Sequence, residues 1–462
     1  MPKNAATRKI GIALAGGGFL GATYELGALA ALSEAVDGLD LTKLDSYVGV
    51  SAGGFVAAGL ANGLTAHEMV RMYVEAEDDA TSFDPARLLR LDWSSLLQAV
   101  DALPSNLAAG AQGGFRGLKS GTREAFWSAL EKGLRSLPLG ILDASIAEAK
   151  LSRLFSQEGR TNDFRRVKAS LRIVATDLNR GQPVEFGAPG FDDVPISRAV
   201  SASSAVPGLF KPVNIKGRLY MDGALTKTLH ASVALNQGAR LVICVNPLVP
   251  YSGSEAGSEA GSEAGFEAGS ETVSEAGLVA GLVADLKQGT KLGSGVKKTA
   301  AEMSGSNTPR GRQKIVTSSL NTVLRQSVRT VIRSRMSVGL EKYNATHPGA
   351  KIVLLEPDSQ DADTFFTNIF SLSSRRRLCE HAYQSTRANL LARYDELAPT
   401  FASFGLRLNR SILKQENMVL VHAERLDDQA WLWAGKLGRT QRDLGLTLDA
   451  LQRHLNLRGL MT

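Results

Sequence analysis

GIALAGGGFLGATYE, residues 11–25, joins an apolar strand-like run to an apolar helix-like run through three consecutive glycines. Gly16, Gly18 and Gly21 satisfy the G-x-G-x-x-G spacing of a dinucleotide-binding loop. The same loop, Gly16-Gly17-Gly18, also offers backbone N–H groups to any anion, including the oxyanion of an ester under attack. The next strand separates the two readings. A dinucleotide site needs an acidic residue about 20 positions on, at the end of the second strand, to hold the ribose. Here that strand, SYVGVSAGG (46–54), ends in Ser51 between glycines, and Asp45 stands before it. The lysine of a phosphate-binding P-loop is missing too. No nucleotide, flavin or metal is called for, and the glycines are expected to serve an oxyanion.

Gly49-Val50-Ser51-Ala52-Gly53 is a G-x-S-x-G set between an apolar strand and an apolar helix. Small flanking residues let the chain turn sharply there and lift the serine hydroxyl above the sheet edge. A serine nucleophile needs a base and an oxyanion hole. The glycine loop, leaving a neighbouring parallel strand, supplies the hole. For the base, GRLYMDGAL (217–225) places Asp222 at the end of a short apolar run, just after the proline-shaped segment SASSAVPGLFKPV (201–213). His230, eight residues past Asp222, is the one histidine placed to compete for a triad role. The plainer alternatives are a helix N-cap for Ser51 and a turn residue for Asp222.

Around these motifs, residues 8–250 alternate strand and helix patterns, the mark of an α/β layered fold. IGIALA, SYVGVSA, SLRIVATDL and RLVICVNPL read as strands, Gly21–Ala35 and Gly54–Gly63 as helices. Residues 85–155 read as helical, without strand signals, and could cap the sheet edge. Residues 251–349 read as an insertion. It opens on GSEAGSEAGSEAGFEAGSETVSEAG, a disordered linker by composition, since a glycine in each repeat penalises helix by about 1 kcal/mol. Residues 286–340 then carry eleven Lys/Arg against one acid, Glu302. Within them, Leu320, Leu324, Val328, Val331 and Ile332 share a helical face, and Arg325, Arg329 and Arg333 form a stripe. Such a basic amphipathic helix suits an anionic lipid surface. The α/β pattern resumes over 350–407, and 408–462 reads as a helical tail. Its TQRDLGLTLDALQRHL resembles a helix-turn-helix but fits a plain αα-hairpin better, so no nucleic-acid partner is expected.

The bulk numbers fit this picture. The 462 residues are 44% apolar and 21% charged, with a net charge of +7. Cys244 and Cys379 form no framework and read as reduced core residues. The N-terminal segment reads as a first strand, so no secretion signal is expected, and no apolar run is long enough to span a bilayer. A cytoplasmic protein is expected, peripheral at most on an inner membrane face or lipid surface.

The ordered set GGGFLG (16–21), GVSAG (49–53), ASSAVPGLFKPV (202–213) and MDGA (221–224) resembles the patatin-like phospholipase family, and IVATDLNRGQPVEFG (173–187) is similar to that family's strand-and-turn segment. The resemblance covers about 8–250 and extends to 350–397. It implies a three-layer α/β/α fold and hydrolysis of lipid or phospholipid acyl esters by a Ser–Asp dyad. Ser51 is then the nucleophile, Asp222 the base, and Gly16, Gly17 and Gly18 the oxyanion loop. Two positions depart from the family. Leu20 stands where a cation is usual, which bears on charged substrates, and TKTLHASVA (226–234) replaces the usual Asn-Pro turn. The competing readings are a non-catalytic lipid-binding regulator and an esterase with a Ser–His–Asp triad.

Overall fold

The computed structural model describes residues 9–75, 90–91, 140–250, 320–359 and 372–421. Of the helical cap expected over 85–155, residues 85–89 and 92–139 lie outside the described residues, as do the SEAG repeat, residues 286–319 of the basic segment and the tail beyond 421.

A central eight-stranded sheet carries the architecture: β1 Ile10–Leu14, β2 Ser46–Val50, β3 Ser170–Asp177, β4 Gln182–Phe186, β5 Val213–Ile215, β6 Arg218–Asp222, β7 Leu241–Val245 and β8 Lys351–Leu355. Their order is β8-β7-β1-β2-β3-β6-β5, with β4 paired to the other side of β3. The first five strands in this order run parallel; β6, β5 and β4 add antiparallel pairings. Side chains alternate between two cores, as a strand's two-residue period requires. Ile12, Leu14, Tyr47, Ile173, Ile243 and Val353 enter one. Ala13, Val48, Val50, Val174, Val242 and Cys244 enter the other.

Helices cover both faces, giving the three-layer α/β/α fold. On the first face lie α1 Gly18–Ala35, α2 Ala52–Ala61 and α3 Ile196–Ser203. The opposite face is covered by α4 Ala231–Asn236 and α5 Leu320–Thr346. Last, α6 Leu372–Ala392 packs on α1. Because α1 lies between the sheet and α6, it is apolar nearly all round, with Tyr24, Leu26, Leu29 and Leu32 buried. Each such side chain contributes about 1.5–3 kcal/mol by leaving water.

Three local readings change. The segment 85–155 is not strand-free: Arg90–Leu91, Gly140–Asp143 and Gly208–Phe210 form a small separate sheet. Runs this short carry no periodicity, and their pairing is set by distant chain. Second, α1 starts at Gly18 rather than Gly21, so the glycine loop is the opening turn of the helix.

The third change concerns the basic helix. α5 seats Arg329, Met336 and Tyr343, seven residues apart, against the body. Arg329 donates to the Val249 carbonyl (3.1 Å) and Arg333 pairs with Glu356 (3.4 Å). The arginine stripe is therefore partly inward, while Val331 and Val338 are 42% and 64% exposed. Residues 408–421 also pack on the body. Leu408 pairs with Val36, and the buried Arg387 donates to the Ile412 and Gln415 carbonyls at 2.8 and 2.7 Å. Both cysteines are free and buried. Among the described residues no helix is long and apolar enough to cross a membrane.

Candidate active site

The site forms where two strands end against a third. Parallel β2 pairs with the first part of β3 up to Val50 opposite Val174. Antiparallel β6 arrives from the other direction and stops with Asp222 opposite Ala175. Two strand ends thus meet on the same side of β3. Ser51, one residue past Val50, is brought beside Asp222, close enough for its side chain to favour the charged carboxylate.

Ser51 itself sits at φ 52°, ψ −121°. A non-glycine residue with positive φ is strained by about 1–3 kcal/mol and persists only when its surroundings hold it there. The glycines of the motif make the turn possible. A Cβ on Gly53 would lie 2.6 Å from the Ala15 carbonyl oxygen, too close for any side chain. The Ser51 N–H donates to the Ser203 hydroxyl (2.8 Å), which in turn donates to the Val174 carbonyl (2.5 Å).

The glycine loop closes the other side. A Cβ on Gly16 would lie 3.3 Å from Ser51 Cβ and 3.4 Å from Ala224 Cβ, so the loop lies against both partners. The three glycines are not equivalent, however. The Gly16 N–H is committed to the Thr228 carbonyl (3.1 Å). The amides of Gly17 and Gly18 have no acceptor among the described residues, and they open α1, where the helix dipole favours negative charge. Gly18 has φ +60°. Of the three residues expected to form the oxyanion loop, Gly16 therefore shapes it, and Gly17 and Gly18 hold the available donors.

Asp222 is buried. Burial pushes its carboxyl up to about 6, while the hydrogen bond from the Ala224 N–H and the nearby Ser51 favour the charged form. The Ala224 bond is 2.9 Å and starts the turn Gly223–Leu225, directly before TKTLHASVA. The Asp222 backbone is held as firmly. Its N–H donates to Ala205 (2.9 Å), and its carbonyl accepts from Thr176 Oγ1 (3.0 Å).

His230 takes a different place. It precedes α4, and its buried Nε2 has no partner among the described residues. Burial, helped by Lys227, pushes it down to about 4, so it is neutral at pH 7. Ser203, Thr176 and Thr228 escape sequence reading. The only signal was that Ser203 lies inside the proline-shaped segment.

A serine on a strained strand-to-helix elbow thus faces a glycine loop and a buried aspartate in a three-layer α/β/α fold. Residues 12–235 match the family model Patatin-like phospholipase. Similar solved structures include VipD from Legionella pneumophila, 14% identical over 84% of this chain and 77% of that one, with a TM-score of 0.29. Another is the complex of SpcU with ExoU from the type III secretion system of Pseudomonas aeruginosa, 24% identical over 45% of this chain and 39% of that one, with a TM-score of 0.22. At these scores neither likeness bears on the geometry of the site.

Proposed function

We propose that this protein is a serine lipid acyl hydrolase of phospholipase A or lysophospholipase type, working through a Ser51–Asp222 dyad. Asp222 takes the hydroxyl proton as Ser51 Oγ bonds to the ester carbonyl carbon. The carbonyl π electrons move to oxygen, and the Gly17 and Gly18 amides stabilise that oxyanion. Collapse expels the alcohol, which takes the proton from Asp222 and leaves Ser51 acylated. Water, deprotonated by Asp222, attacks the acyl carbon; the fatty acid leaves and Ser51 Oγ regains the proton.

The observation that carries this reading is the meeting, at two strand ends on β3, of a serine held at positive φ and a buried aspartate. A value raised to about 6 also makes Asp222 a stronger base than an ordinary carboxylate at 3.8. The test is a fluorophosphonate probe with peptide mapping. Stoichiometric labelling of Ser51, lost in Ser51→Ala together with hydrolysis of acyl esters, supports the reading. An unlabelled, inert wild-type chain defeats it and favours a lipid-binding regulator.

We further propose that the substrate is met at an anionic lipid surface, through residues 286–340 and the remainder of α5. Support comes from the cations of that segment other than the inward Arg329 and the Glu356-paired Arg333, and from the outer side of α5, where Val331 and Val338 are exposed along with Arg335 and Lys342. Each cation near an anionic bilayer contributes about 1 kcal/mol.

A further inference from the structure

The junction that unites Ser51 and Asp222 has a structural consequence. Where β2 stops and β6 begins along β3, the ladder changes partner. Backbone groups at such a break have no strand opposite them, yet a buried N–H or C=O must still be paired. Two groups there are the Ser51 N–H and the Val174 carbonyl. One hydroxyl serves both: Ser203 Oγ accepts from Ser51 at 2.8 Å and donates to Val174 at 2.5 Å. Ser203 is fully buried, and two residues on, the Ala205 carbonyl accepts the Asp222 N–H at 2.9 Å. The end of α3 therefore grips the backbone of both residues at once.

We propose that Ser203 is a positioning residue for the reaction: its hydroxyl bridges the broken ladder, holds Ser51 in its positive-φ turn, and so sets the approach of Ser51 to Asp222. The assignment rests on the Ser51–Asp222 reading above. Ser203 touches neither substrate nor a reacting atom; it acts through the Ser51 amide. Without the hydroxyl, the Ser51 N–H loses its acceptor, and the elbow can relax toward an ordinary dihedral. Displacement of a nucleophile by about 1 Å costs on the order of 100-fold in rate.

The test measures kcat, KM and the rate of fluorophosphonate labelling for wild type, Ser203→Ala and a control, Tyr47→Phe. The control removes two buried hydrogen bonds, with Leu44 N–H (2.8 Å) and the Leu41 carbonyl (2.9 Å), near the opposite end of β2. Ser203→Ala is expected to lose on the order of 100-fold in kcat and in labelling rate, with KM unchanged. Tyr47→Phe should melt earlier yet keep wild-type kcat. A Ser203→Ala protein that melts earlier but keeps wild-type kcat behaves like the control and overturns the proposal. Should Ser203→Ala fail to fold, Ser203→Cys keeps the size with a weaker acceptor. Reduced kcat at unchanged KM then supports the assignment, and wild-type kcat overturns it. A wild-type chain that neither turns over nor labels fails at an earlier step: it defeats the proposed function, and this assignment with it.

Discussion

Replacing Asp222 by asparagine should abolish hydrolysis and, at neutral pH, make the protein more stable. The carboxyl is buried and pushed up to about 6, against 3.8 in an exposed chain. A group whose folded value lies above its unfolded one favours folding fully below the lower value and loses that contribution as pH rises through the higher one. At 1.36 kcal/mol per pH unit, the ionised Asp222 costs the folded state about 3 kcal/mol above pH 6. Asparagine is nearly isosteric and carries no charge. Its carbonyl oxygen can still accept from the Ala224 N–H, now 2.9 Å from Asp222 Oδ1. Urea unfolding of both proteins from pH 4 to pH 8 reads the difference directly. The two stabilities should converge toward pH 4 and separate through pH 6, Asp222→Asn ending about 3 kcal/mol ahead. His230 also titrates in this range, but it is common to both proteins and cancels. An asparagine variant that is less stable at pH 8, or a difference that ignores pH, would refute the reasoning about a desolvated base. Retained ester hydrolysis would refute its catalytic role.

Four further outcomes follow from the same geometry. His230→Ala should keep most activity and the same acid limb near pH 6, since His230 is neutral well below that pH; loss of turnover in a folded variant would restore a triad. Because burial lifts Asp222 so far, the pH profile alone cannot separate it from an ordinary histidine near 6.5, and this variant does. A Cβ on Gly17 would lie 2.8 Å from both Gly21 Cα and Pro247 Cγ, so Gly17→Ala must displace the loop and should cost about 100–1000-fold in kcat, read on a fluorogenic ester with circular dichroism for folding. Gly18→Ala meets nothing within 4 Å but is strained at φ +60°, and should cost about 1–2 kcal/mol in a melt. Arg335→Glu with Lys342→Glu should weaken flotation with anionic vesicles by about 1 kcal/mol per removed cation, and more at low salt. Unchanged flotation would remove the outer side of α5 from the lipid surface.

Much of the site is written locally. A glycine loop after an apolar strand, a serine between glycines at a strand end and an aspartate at another are each readable because small residues and backbone direction are properties of a few neighbours. The chain also shows its layers, since strands buried on both faces and an all-round apolar α1 need no partner to be recognised by composition. Other features belong to the folded state. Ser203 lies 152 residues from the Ser51 amide it holds. Gly16 reads like Gly17 until Thr228 takes its N–H, and Arg329 reads like a surface cation until Val249 offers a carbonyl. Asp222 looks like an ordinary turn aspartate; only burial raises it. Register places Val50 opposite Val174 and Asp222 opposite Ala175, and a one-residue slip of either strand would separate the pair. The residue types are local choices, whereas pairing across the chain and exclusion of water arise only when the sheet closes around them.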